Sequence, residues 1–361
     1  MTNEAHPIHL RRQRRSERSA RGIAQLALAT ALLHGPVASH AATLTVPGDH
    51  ATIQAAIEAA VDGDVVSVSA GEHEGDIDFL GKAIRVVGRG EATVLRGSGL
   101  GSVVRFTSGE GNDSVLDSVL VTGGNAQRGG GVLVLGSSPT IVRSFVMGNR
   151  ASAQGSGIHV GSGSPLLYNN LVAYSTNSGG DPHGIQVSSG EPRIVNNTIV
   201  RGDSNGMLFS SGSAPVVWNN VIARNGSAGR GRGICDFSSR QAVIAFNVFY
   251  RNRIAAFLRD GRDWRYATGL QRERPDDPGV FENMDGKPSF AGRAHREIAR
   301  VTPSTFALAT DPEERRRAFD AGDPSVACND LDGSRNDIGF TGGPFASPST
   351  GLPGAGDCGN L

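Results

Sequence analysis

Asp181, His183 and Asp203 stand at fixed distances from a recurring glycine, and those distances decide what they could do together. Counting back from Gly157, Gly184, Gly206 and Gly233, the third residue is Gln154, Asp181, Asp203 and Arg230. The residue just before each glycine is Ser156, His183, Asn205 and Arg232. If each glycine opens the same strand in successive turns of one stack, Asp181 and Asp203 lie about 4.8 Å apart. Two carboxylates that close repel unless a proton or a cation sits between them. Ca²⁺ suits oxygen ligands of this kind. A cation there would draw charge from a carboxylated ligand and ease loss of a proton from the adjacent carbon. His183, on the same side of an extended segment as Asp181, or an arginine would be the base. Asn205 and Arg232 would flank it and orient the ligand carboxylate. Both aspartates also fit ordinary solvated turn positions.

A second column holds Gly148, Tyr174, Arg201, Arg224 and Arg251. Three guanidinium groups stacked at strand spacing repel one another, and a bound polyanion would reverse that cost. The row also reads as a solvated turn in a chain whose default cation is arginine, since only Lys82 and Lys287 are lysines. Tyr168 and Trp218 face outward two coils apart, either to stack on sugar rings or to pack under a flank. Near the end, Asp330, Asp332 and Asp337 surround Gly333 and form an oxygen-rich segment that could hold Ca²⁺. It departs from an EF-hand loop, because Cys328 and Gly339 fall where the first and twelfth ligands belong; a closing turn is the other reading.

The elements that must position these side chains repeat. Gly131, Gly157, Gly184, Gly206 and Gly233 are spaced by 26, 27, 22 and 27 residues, and Ser144, Asn170, Asn197, Asn220 and Asn247 by 26, 27, 23 and 27. Each unit carries three short apolar runs parted by turn residues, too short for helices and too regular for loops. A single unit cannot bury its apolar side, but stacked units share a core and pair every strand in parallel. The expected fold is all-β, a right-handed parallel β-helix. The asparagines would pile into a ladder, each as a left-handed turn residue, with Val146, Val172, Ile199, Ile222 and Phe249 as an inward stack two residues on. Ile53, Ala56, Ile57 and Ala60 share one face of a helix that would plug the open end of the core. Register is lost after Asn252, and the charged, proline-bearing stretch from Arg259 to Arg317 reads as an irregular flank.

The first residues read as an address. Six arginines between Arg11 and Arg21 precede a short apolar run, Ile23–Leu33, and Ser39-His40-Ala41 supplies small residues for cleavage. The expected organisation is therefore a signal peptide over 1–41, the β-helix with its N-terminal cap over 42–253, an irregular flank and closure over 254–346, and a flexible tail over 347–361. Without residues 1–41 the chain holds 29 basic against 33 acidic residues. That mild acidity argues against a nucleic-acid partner. No stretch of the mature chain is apolar over the ~18–20 residues a membrane span needs. Cys328 and Cys358 could pair after export, and Cys235 fits a buried strand position.

Thr52-Ile53-Gln54-Ala55-Ala56-Ile57 followed by Gly63-Asp64 resembles the opening of secreted bacterial β-helix proteins of the pectate-lyase-like superfamily. Gly123-Gly124-Asn125 and Gly129-Gly130-Gly131 resemble coils of polymorphic outer-membrane and related surface proteins. Asp320-Ala321-Gly322-Asp323-Pro324 and Asp332-Gly333-Ser334-Arg335-Asn336-Asp337-Ile338-Gly339 resemble their C-terminal closure. The resemblance implies an exported β-helix that engages polysaccharide, and the arginine column points to an acidic one. Lyases, hydrolases, epimerases and non-catalytic surface proteins share the architecture. The paired-aspartate and Gly-His-Gly pattern of polygalacturonases is absent, which counts against hydrolysis. Asp181-Pro182-His183 resembles an alginate C5-epimerase motif, but Gly184 stands where an acid should follow. A Ca²⁺-dependent uronan lyase or epimerase, a carbohydrate-binding module and an adhesive surface protein all stay open. Only the first requires His183, Asp181 and Asp203 to act together.

Overall fold

A glycine opens each strand of one sheet because there is no room for anything else. In the computed structural model a Cβ on Gly184 would stand 2.7 Å from the Gly206 carbonyl oxygen, and one on Gly157 would stand 2.5 Å from that of Gly184. The structure describes residues 41–285 apart from 178, 180–182, 228–229, 240, 276 and 278.

One coil shows the pattern. Thr140–Val142 lies in a first sheet, Phe145–Met147 in a second and Ile158–Val160 in a third, after which Leu166–Tyr168 returns to the first. Successive coils add strands in parallel and in register, as in Val132 to Ile158, Ile185, Met207 and Ile234. The three sheets hold ten, nine and nine strands. A short fourth sheet, Asn125–Arg128, Arg150–Gln154 and Thr176–Asn177, decorates the turn after the second. Inward residues alternate with outward ones, so Ile141, Leu167, Ile194, Val217 and Ile244 stack in the core beside Val146, Val172, Ile199, Ile222 and Phe249.

Helix α1 (Ile53–Ala59) starts at Thr52, whose side chain accepts from the Ala55 backbone N–H, and buries Ile53, Ala56 and Ile57 against the first strands. Its C-terminus is held by the Lys82 ammonium, which donates to the carbonyls of Ile57, Glu58 and Ala60 at 2.7 Å each. The expected plug is there.

The ladder asparagines are buried and linked. Asn197 Nδ2 donates to the Leu167 carbonyl at 2.8 Å and to Asn220 Oδ1 at 3.1 Å, while its own Oδ1 accepts from Asn170 N at 2.9 Å. The same pattern continues through Asn220 and Asn247 to Asn283. The left-handed conformation, however, falls one residue earlier than expected, on Arg143, Asn169, Asn196, Asn219 and Phe246. The chain turns at that residue, leaving the next amide free to line up along the stack.

The repeat also runs one coil further than its sequence register suggests. Ala255–Arg259 continues the third sheet, and Val280–Phe281 and Met284–Asp285 extend the other two. Between them lie an antiparallel strand, Arg262–Trp264, and helix α2 (Ala267–Glu273). This insertion stretches the ladder spacing to 36 residues from Asn247 to Asn283 and hides the last coil. Two ion-pair groups brace the coils: Asp117 between the partly exposed Arg85 and the buried Arg143, and the buried Arg259 between Asp236 and Asp277. Among the described residues no helix is long and apolar enough to cross a membrane.

Candidate functional site

The arginine column turns out to be a structural position. Gly148, Tyr174, Arg201, Arg224 and Arg251 are the left-handed corner that follows five successive strands of the second sheet, with φ between 48° and 66°. For a residue other than glycine or asparagine that conformation costs roughly 1–2 kcal/mol. At the neighbouring corner the chain places asparagine three times, yet this corner carries four large side chains in succession and no asparagine. Local strain held by a firm scaffold is a feature of ligand sites.

The column is also charged in a particular way. Arg85, Arg96, Arg105, Arg143, Arg232, Arg259, Arg262 and Arg274 are all paired with carboxylates. Among the described residues Arg224 and Arg251 have no such partner; their guanidinium carbons lie 5.8 and 5.2 Å from the ring centre of Tyr250. Arg251 is exposed, and Arg201 and Arg224 are half-buried. Burial pushes the Tyr174 phenol up, against a downward pull from Arg201 and Arg224. The surrounding field has the same sign. Residues 41–117 hold twelve acidic against five basic residues, whereas residues 118–253 hold four against eleven. The arginine corner lies wholly within the positive part.

Of the other predicted cluster, His183, Asn205 and Arg232 are stacked in register and His183 is buried. Ser156 N donates to the His183 carbonyl at 2.8 Å, Gly184 N to that of Asn205 at 3.1 Å, and Gly206 N to that of Arg232 at 2.9 Å, so these residues stack as the glycine register implies. His183 is 2% exposed. Its Nδ1 is 3.2 Å from Asn205 Nδ2 and 3.3 Å from Ser204 Oγ. An amide nitrogen can only donate, so Nδ1 is the acceptor of that bond. Asn205 Oδ1 accepts from Arg232 N at 2.7 Å, and the Arg232 guanidinium is paired with Asp263. Asp203 is half-buried, with its backbone tied to Ser175 and Ser227. Its expected calcium partner Asp181 lies outside the described residues, as do Asp330, Asp332 and Asp337. Among the described residues no three His, Cys, Asp or Glu side chains group as metal ligands.

Tyr168 and Trp218 do face outward, but they are 0% and 2% exposed within an apolar layer that includes Val142, Val195 and Phe246. They are the packed flank, not a sugar platform. Two features escaped the sequence. One is a second ladder, in which Asn225 Nδ2 donates to Asn252 Oδ1 at 3.1 Å and Asn149 Nδ2 to the Val121 carbonyl at 3.0 Å. Its signal was available, since Asn149, Asn225 and Asn252 each fall five residues after a first-ladder position. The other is His159, 1% exposed on the outer face of the third sheet with no hydrogen bond at Nδ1.

Residues 104–249 match a family model described as right handed beta helix region. The described residues form a right-handed parallel β-helix. The resemblance read from the sequence is thereby borne out at the level of fold. Among solved structures the chain is similar to the crystal structure of pectate lyase Pel9A at 15% identity, covering 84% of this chain and 96% of that one, with a TM-score of 0.44. No curated protein sequence matches it.

Proposed function

We propose that this β-helix binds an anionic polysaccharide along the corner formed by Tyr174, Arg201, Arg224 and Arg251. What carries the proposal is a row of three arginines at successive coil positions in a costly backbone conformation, two of them without carboxylate partners, on the positive part of the solenoid. Repetition at coil spacing suits a polymer whose charges also repeat. The geometry favours binding over proton abstraction, because the candidate base His183 is buried and its Nδ1 is already engaged. On this reading the protein is exported and Met1–Ala41 is removed. The test compares immobilised polygalacturonate with neutral dextran at low salt. Retention on the anionic matrix alone supports the proposal; passage through both columns, or equal retention on both, refutes it.

A further inference from the structure

The last coil encloses a cavity of about 410 Å³, lined by Tyr250, Arg251, Arg253, Arg265, Tyr266 and Asp285 among others. Two sides of the molecule build it. Tyr250 ends the last full strand of the second sheet and Arg251 is the final arginine of the corner. Arg265 and Tyr266 come from across the gap, between the antiparallel strand Arg262–Trp264 and helix α2.

Its chemistry is one-sided. Three guanidinium groups meet one carboxylate, and the Asp285 oxygens already accept from Ala267 N at 2.8 Å, Thr268 N at 2.9 Å and Thr268 Oγ1 at 2.6 Å. Among the described residues Arg251, Arg253 and Arg265 make no ion pair. Tyr266 is 57% exposed, with the Arg265 guanidinium carbon 5.9 Å from its ring centre, so a cation and an open aromatic face stand side by side at the cavity. Small-molecule sites run from about 300 to 1,000 Å³. This cavity is near the lower bound, the size for one or two sugar rings and not for a length of polymer.

We infer that the cavity is a terminal subsite that takes an anionic mono- or disaccharide unit, with guanidinium groups on its carboxylate or sulfate and tyrosine rings against its faces. This rests on the polysaccharide reading and adds to it a place where a chain end is held. Calorimetric titration of the full chain with digalacturonate, a sulfated disaccharide and a neutral disaccharide tests it. At least one anionic sugar should bind at least tenfold more tightly than the neutral one, and which one binds tells carboxylate from sulfate. Arg253→Ser/Arg265→Ser should weaken that binding at least tenfold. Arg128→Ser/Arg150→Ser, which removes the same charge from exposed positions elsewhere, should change it less than threefold. Equal affinity for all three sugars, or equal losses in both variants, overturns the inference. A wild type retained by polygalacturonate that binds neither anionic disaccharide removes the cavity's role and leaves the polymer reading standing.

Discussion

Replacing Asn197 by leucine should cost far more than one hydrogen bond. The side chain is 0% exposed and makes contacts in both directions along the stack. Nδ2 donates to Leu167 O at 2.8 Å, Val195 O at 3.0 Å and Asn220 Oδ1 at 3.1 Å, while Oδ1 accepts from Asn170 N at 2.9 Å and Asn170 Nδ2 at 3.1 Å. Leucine is close in size but satisfies none of these. The buried Asn170 N–H and Leu167 carbonyl lose those partners, at about 1–3 kcal/mol for each stranded group. With the remaining losses the total is about 3–6 kcal/mol. For a cooperative unit of this size 1 kcal/mol moves the melting point by about 2–4 °C, so a fall of roughly 6–24 °C follows. Asn125→Leu is the control, because Asn125 is exposed and its side chain makes one 3.2 Å bond, to Gly99 O. Circular-dichroism melts of the three proteins decide the matter. If Asn197→Leu melts within 2–3 °C of the control, the ladder does not hold the coils together as described.

Three further outcomes follow from the same structure. Burial, with Arg128 nearby, pushes the His159 pKa down to about 4, below the unfolded value of about 6.5. The unfolded chain therefore binds the proton first, so His159's contribution is complete above about pH 6.5 and is lost as pH falls toward 4, roughly 3 kcal/mol in all. His159→Leu, matching Leu133 and Leu208 of its row, should melt higher than wild type by a margin that widens from pH 7 to pH 4.5; parallel curves would contradict this. Arg259→Leu leaves Asp236 and Asp277 buried without their cation and should cost about 3–5 kcal/mol, read as a lower urea midpoint; an unchanged midpoint would show the pair to be solvated. Intact-mass measurement of the exported form should place its N-terminus near Ala42, and recovery of Met1 would refute removal of the leader.

What was legible in the sequence was whatever stacking makes repeat. Gly184 and Gly206 mark the closest backbone approach, and Asn197 and Asn220 mark the ladder, so each recurs once per coil and shows itself by spacing alone. Conformation within a turn does not repeat so visibly. The left-handed residue sits one place before the ladder, where Arg143 and Phe246 serve as well as Asn196, so no single residue type announces it. The last coil was hidden because a strand and a helix are inserted before Val280. His183 illustrates a further limit. Its column was read correctly, but burial in a turn depends on what the loop folds over, and two-residue alternation says nothing there. The arginine corner was legible as a column, whereas the cavity at its end joins residues from Tyr250 to Asp285 across that insertion.

The most direct test of the account is retention of Arg201→Ser/Arg224→Ser/Arg251→Ser on immobilised polygalacturonate. Serine already occupies left-handed positions at Ser118 and Ser239, so the corner should keep its backbone and the melting point should move by no more than about 3 °C. Each guanidinium contact at the surface is worth up to about 1 kcal/mol, so losing three weakens binding roughly ten- to a hundredfold. Wild type should bind at low salt and elute as salt approaches 1 M, where charges are screened beyond about 3 Å. The triple variant should pass through unretained, while Arg89→Ser/Arg96→Ser/Arg272→Ser, with the same charge removed from exposed sites outside residues 118–253, should bind as wild type does. A corner variant that elutes at the wild-type salt concentration would contradict the assignment of this corner as the polysaccharide-binding site.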